Sequence, residues 1–206
     1  FPALLSSATS WRDRALWTLL LASGIRRSEA LNLQWSDIDF ATQEVYVLDP
    51  HLLRYGREVS LDEREQRFKG RTVSRTYLRQ PYRDWFFEYL SRYRKTEYRL
   101  PMDGNDFVFQ YLVSPHYGRP LYQATDDTLN SAFTSAVKRA GIPGPPINPN
   151  YVWTAHSLRH SYGRSMLNDC QVLGQSRPGL TESEVQLLMG HKNIASTRKY
   201  ARLRSN

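Results

Sequence analysis

The stretch from Thr154 to Leu203 constrains the fold most, because its start and stop signals cut it into three helical pieces. The first is expected from about Ser157 to Asn168, and residues 170–180, with two glycines and a proline, read as a loop. Thr181-Glu-Ser-Glu184 is a capping box, in which hydroxyl and carboxylate each satisfy the other residue's backbone N–H. The helix it opens runs to Met189, where Gly190 supplies a left-handed stop. A last helix, about Ala195 to Leu203, carries Tyr200. His156, Arg159, His160, His191 and Tyr200 thus fall on or beside consecutive helices. A second basic cluster, Gly24-Ile-Arg26-Arg27-Ser-Glu29, stands near the other end of the chain. What the chain can do depends on whether folding brings the two clusters together.

The rest of the chain reads as mostly helical. Ser10 caps a helix beginning at Trp11, with Asp13 in its first turn. Trp11, Ala15, Leu16, Leu19 and Leu20 recur at three- and four-residue steps and give it one apolar face, and Gly24 ends it. A short helix starts at Ser28 and carries Leu31 and Leu33. Ser36-Asp-Ile-Asp39 then turns the chain into a strand over Glu44–Leu48. Residues 49–65 are polar, of mixed charge and without period, a long loop. Gln66–Lys69 and Thr72–Leu78 read as a hairpin around Gly70. Pro81 suits the start of a helix whose core face is Trp85, Phe86, Tyr89, Leu90 and Tyr93. Phe107-Val-Phe109 is a short buried segment. A helix from Asp126 or Asp127 points Leu129, Phe133, Val137 and Ala140 inward and stops at Gly141. The expected fold class is mixed α/β, mainly α-helical, with one small antiparallel β-sheet.

Composition narrows the partners. A chain of 206 residues buries a sizeable core as one domain, 1–206. The net charge is +8, carried by 23 Arg against 5 Lys. Arginine forks onto phosphate bidentately, whereas lysine is a point charge. A basic balance fits a polyanionic partner, and it also fits a solubilising surface. No apolar run approaches the ~20 residues of a membrane span, so no membrane partner is expected. Phe1 is not an initiator methionine and no signal peptide is visible, so the chain is read as a trimmed fragment. The single cysteine, Cys170, excludes an internal disulfide and fits a reducing compartment.

Each cluster has more than one reading on its residues alone. Arg26 and Arg27 lie at a helix start, where the dipole favours an anion. They fit a docked phosphate, or surface pairs with Glu29 or Asp37. His156 and Arg159 share a helix face at a spacing of three. His156 and His160 at a spacing of four would also allow zinc if His191 were the third ligand, although no HExxH pattern is present. His160 alone reads as a packing residue behind the site. Tyr200 is one of 13 tyrosines and draws significance only from its position after Gly190-His191.

In order, these motifs resemble the catalytic domain of the tyrosine recombinases, the phage-integrase family. The carriers are Ser23-Gly-Ile-Arg26-Arg-Ser-Glu29-Ala-Leu with Trp35-Ser-Asp-Ile-Asp39, then His156-Ser-Leu-Arg159-His160, Leu188-Met-Gly-His191, and Thr197-Arg-Lys-Tyr200-Ala. The resemblance covers residue 10 to about 203. It implies that Arg26 and Arg159 clamp a scissile phosphate, that His156 and His191 flank it, and that Tyr200 is the nucleophile. Glu29 and His160 become supporting residues, and Lys69, before Gly70, matches the family's hairpin lysine. On its residues alone Lys69 also reads as a solvated turn lysine on DNA backbone. The segments 49–65 and 170–180 are longer than the resemblance implies, and the family's N-terminal DNA-clamping domain is expected outside this chain.

The implied function is a site-specific DNA recombinase or integrase that cuts and rejoins strands through a 3′-phosphotyrosine. Two readings stay open beside it: a type IB topoisomerase-like relaxing enzyme, and a non-catalytic DNA-binding module. The expected partner is double-stranded DNA, with a homotetramer on DNA and mainly monomer without it. No cofactor and no metal are expected. A cytoplasmic, nucleoid-associated place and a bacterial or phage origin follow from the same resemblance.

Overall fold

A computed structural model of the chain describes residues 1–50, 68–101, 104, 106–146, 148–176 and 178–201. Its elements run α1 (Pro2–Ser6), α2 (Trp11–Ser23), α3 (Arg27–Leu31), β1 (Ile38–Asp39), β2 (Glu44–Tyr46) and β3 (Arg75–Thr76). They continue with α4 (Tyr82–Thr96), α5 (Asp126–Arg139), α6 (Ala155–Asn168), α7 (Glu182–Met189) and α8 (Ala195–Ala201).

Helix α2 is the axis of the domain. Ser10 Oγ accepts the Asp13 N–H at 3.1 Å and starts it. Every residue from Ala15 to Ser23 is buried, so the helix is covered on all sides rather than on the one face its periodicity suggests. The reason lies in its few polar side chains: Ser23 turns its hydroxyl back onto the Leu19 carbonyl at 2.6 Å. Leu16, Leu19, Leu20 and Leu21 are each under 5% exposed, and burial of each contributes roughly 1.5–3 kcal/mol. Helices α4 and α6 pack against α2, and Phe133 of α5 meets Trp17 edge-on with centroids 5.1 Å apart.

The end of α2 decides how close α6 comes. Gly24 adopts φ 60°, and a Cβ there would stand 2.2 Å from Cδ1 of buried Tyr162. Without a side chain at residue 24, the chain before Arg26 lies directly against α6, which carries His156 and Arg159. A second, smaller core of Tyr162, Met166, Leu167, Val185, Met189 and Tyr200 binds α6, α7 and α8 into one unit.

The sheet has the order β1-β2-β3, antiparallel throughout, with Ile38 opposite Val45 and Val45 opposite Thr76. This corrects the expected hairpin around Gly70. Gln66 lies outside the described residues, Phe68 to Ser74 belong to no strand, and Arg75–Thr76 pairs with β2 instead. Thr76 buries itself in the Val45 row, while Arg71 turns inward and draws the Gly70 turn away from the sheet. Trp85 and Tyr89 are half-buried rather than core residues, and α4 buries Phe86, Phe87, Leu90 and Tyr93. Residues 51–65 of the expected 49–65 loop lie outside the described residues.

Candidate active site

The last turn of a helix leaves carbonyls without intrahelical partners, at the negative end of its dipole. In α7 three guanidiniums from different parts of the chain take them up. Arg71 Nη2 donates to Leu188 O at 2.6 Å, Arg159 Nη2 to Met189 O at 2.8 Å, and Arg26 Nη2 to Gly190 O at 2.5 Å. Gly190, at φ 63°, then turns the chain so that His191 follows at once.

Glu29 holds the trio together from the other side. Its carboxylate is buried and accepts from Arg26 Nη1 at 2.5 Å and from the Arg26 backbone N–H at 2.7 Å. Arg71 Nη1 faces the same carboxylate at 3.4 Å. The start of α3 is therefore satisfied by its own glutamate, and the positive charge facing outward comes from the guanidinium. Arg159 is 3% exposed and also donates, through Nη1, to the Gly24 carbonyl. Burial, and then the Arg26 charge, pull its pKa down to about 10, so it stays cationic at neutral pH.

Tyr200 sits between the histidines. Its ring stacks on His191 with centroids 6.1 Å apart and meets His160 edge-on at 5.2 Å. His160 in turn meets His156 edge-on at 4.6 Å. Behind the tyrosine lies Gly163, where a Cβ would come within 3.1 Å of the ring. Burial raises the phenol pKa, and the charge and hydrogen bond of Arg159 act against that rise. His191 is driven down to about 4, first by burial and then by Arg159 and Arg26. Its Nδ1 lies 2.8 Å from Oγ1 of buried Thr197. His156 and His160 are also lowered by burial, with His160 and Arg159 respectively the next cause.

These groups open onto one cleft of about 1030 Å³. Arg26, Lys69, His156, Arg159, His191 and Tyr200 all line it, and Glu29 lies behind Arg26. Lys69 is exposed at the rim, on the irregular segment before β3. His160 requires a correction: it is an exposed member of the lining, not a packing residue behind it, because its face of α6 turns toward α8 and not into the core. Among the described residues no group of three or more His, Cys, Asp or Glu is placed to hold a metal ion. The sequence reading missed Arg71 and Thr197. Thr197 lay inside the last motif, whereas nothing in local pattern marks Arg71 as a buried residue. Arg27, which bonds Asn130 Oδ1 at 3.0 Å and pairs with Asp126, ties α3 to α5 across the cleft mouth.

Fold and site define a helical domain whose arginine-lined cleft closes around a tyrosine. The model of the phage integrase family matches residues 2–206, and the chain belongs to that family. It is 26% identical over 193 residues to the tyrosine recombinase XerC of Pediococcus pentosaceus, covering 94% of this chain and 50% of that protein. The crystal structure of XerA recombinase superposes with a TM-score of 0.65 at 22% identity, over 99% of this chain and 57% of that one. The XerH site-specific recombinase, in a post-cleavage complex with a palindromic difH substrate, gives 0.60 at 19%, over 99% and 48%. The chain thus spans about half the length of the relatives it matches. Among the described residues no helix is long and apolar enough to cross a membrane.

Proposed function

We propose that residues 1–206 form the catalytic domain of a site-specific DNA recombinase that cleaves and rejoins strands through Tyr200. The observation that carries the reading is the convergence of Arg26 and Arg159 on the α7 terminus, in the same cleft as Tyr200. Each guanidinium has five N–H donors, more than Glu29 and the carbonyls take up. The remainder can grip the nonbridging oxygens of a phosphodiester, which gain negative charge in the transition state.

Tyr200 Oη attacks phosphorus and the bond to O5′ breaks. The phenolic proton passes to His156, which its lowered pKa keeps neutral and able to accept it. O5′ takes a proton from Lys69 and leaves as a hydroxyl. The product is a 3′-phosphotyrosine, and a 5′-hydroxyl from another strand reverses the step. The ester energy is retained, so no ATP is consumed. If the Thr197 hydroxyl donates to His191 Nδ1, the neutral ring carries its hydrogen on Nε2, ready to donate to phosphate.

Strand exchange engages two duplexes cut at two positions each, so a homotetramer on DNA and a monomer without it follow; a stable DNA-free tetramer in light scattering would contradict this. Work on DNA puts the protein in the cytoplasm, on the nucleoid. The deciding experiment uses a nicked suicide duplex. The wild-type domain should form a covalent adduct and exchange strands between two sites, and Tyr200→Phe should bind DNA without forming it. An adduct with Tyr200→Phe would move the nucleophile elsewhere. Adduct and relaxation without exchange would indicate a relaxing enzyme.

A further inference from the structure

One guanidinium beside the cleft takes no part in the chemistry above. The Arg71 side chain is 2% exposed, although it sits in a segment, Phe68 to Val73, that belongs to no helix or strand. An arginine in such a segment ordinarily extends into water, because a charge is buried only where it is paired and hydrogen-bonded. Arg71 meets that condition across three places. Nη2 donates to Leu188 O at the end of α7, Nε to Val73 O at 3.1 Å, and Nη1 faces Glu29 Oε2. Its stem fills the space over the α7 stop, where a Cβ on Gly190 would come within 2.9 Å of Arg71 Cγ. The turn beside it lies in ordinary contact with the next loop: a Cβ on Gly70 would stand 3.5 Å from Lys192 Cε. A lysine would not reproduce this fork, because its ammonium is a single point charge without the planar, spread set of donors that meets Leu188 O, Val73 O and Glu29.

Lys69 lies two residues upstream, exposed at the cleft rim. Two residues of chain span at most about 7 Å, so a fixed residue 71 confines Lys69 to the neighbourhood of the α7 terminus, where Arg26 and Arg159 also dock. We propose that Arg71 is a positioning residue: it pins the segment bearing Lys69 to Glu29 and the end of α7, and so sets Lys69 against the leaving 5′-oxygen. This rests on the reading of Lys69 as the acid that protonates that oxygen. Arg71 itself touches no reacting atom.

The test compares cleavage of suicide duplexes carrying either the normal 5′-oxygen or a 5′-bridging sulfur. The sulfur leaves as a thiolate without a proton, since thiols have pKa values near ~8.5. Arg71→Met should slow cleavage of normal DNA about 100-fold, the loss that a misplaced group of about 1 Å brings. The sulfur substrate should restore most of the rate, as it should for Lys69→Ala. Arg71→Lys keeps the charge and most of the stem; it should lose less and show the same rescue, and it covers the case in which Arg71→Met does not fold. Thermal melts establish which variants are folded. Equal losses of a folded variant on both substrates would overturn the proposal, because Arg71 would then act through Glu29 and Arg26 or through stability alone. Normal cleavage by Arg71→Met would overturn it as well. Failure of the underlying reading looks different: Lys69→Ala itself would gain nothing from sulfur, and the role of Arg71 falls with it.

Discussion

Gly24→Ala should be far more damaging than a single methyl group suggests. The residue sits at φ 60°, ψ 17°, a left-handed conformation that costs an L-residue roughly 1–2 kcal/mol. The new Cβ would also stand 2.2, 2.7 and 2.9 Å from three atoms of the Tyr162 ring. Tyr162 is fully buried between α2 and α7 partners and cannot swing to solvent. Overpacking of that kind adds roughly 1–3 kcal/mol, so the total is about 2–5 kcal/mol. The lower chain entropy of alanine in the unfolded state returns at most about 1 kcal/mol. For a domain of this size about 2–4 °C follows each kcal/mol, so a net loss of about 1–5 kcal/mol should lower the melting temperature by roughly 2–20 °C. The chemistry should fail as well, since the Gly24 carbonyl accepts from Arg159 and Arg26 follows two residues later. Thermal melts and adduct formation on a suicide duplex measure both effects. Tyr162→Val in the same chain should recover the overpacking part but not the backbone part, giving a coupling of about 1–3 kcal/mol in a double-mutant cycle. Losses that simply add, or a melting temperature within about 2 °C of wild type, would refute the close approach of α2 and α6.

The histidines and the charge of the cleft lead to two further expectations. The folded pKa of His191 is about 4 against an ordinary 6.5, so between those values the unfolded chain binds more protons and stability rises with pH. Stability should therefore be fully present above the ordinary value and be lost as pH falls toward the folded one. His191→Gln should flatten that decline in melts taken from neutral to about pH 4.5; identical pH dependence in both proteins would contradict the depressed pKa. DNA affinity should fall steeply with salt, by about 0.9 log units per log unit of salt for each phosphate neutralised. Lys192→Ala, at the cleft wall, should reduce that slope by about 1, and salt-independent binding would remove the phosphate clamp.

Much of this protein was legible in residue order alone, wherever a signal is local. Caps and stops work through neighbouring backbone groups, so Ser10, Thr181, Gly24 and Gly190 marked helix ends that the fold keeps. The motifs around Arg26, His156, Arg159, His191 and Tyr200 marked which side chains would line a cleft, because each motif is short and reads within one helix or turn. The segment around Gly70 was not legible. Strand pairing is a long-range choice, and β3 found β2 because Thr76 completes the buried Val45 row, while Arg71 left the sheet for Glu29 and Leu188. His160 followed the same rule: its helix was foreseen, but which side of that helix faces α8 depends on how the helices pack. The sequence by itself determined the longer helices, most of their caps and the chemical inventory; the short α1 (Pro2–Ser6) was not foreseen, and the expected end of the last helix at Leu203 lies outside the described residues. Only the tertiary structure decided that three arginines distant in sequence would share the carbonyls of one helix terminus. Those carbonyls are unsatisfied in any isolated helix, and their partners exist only once α2, α6 and the residue 71 segment have packed around α7.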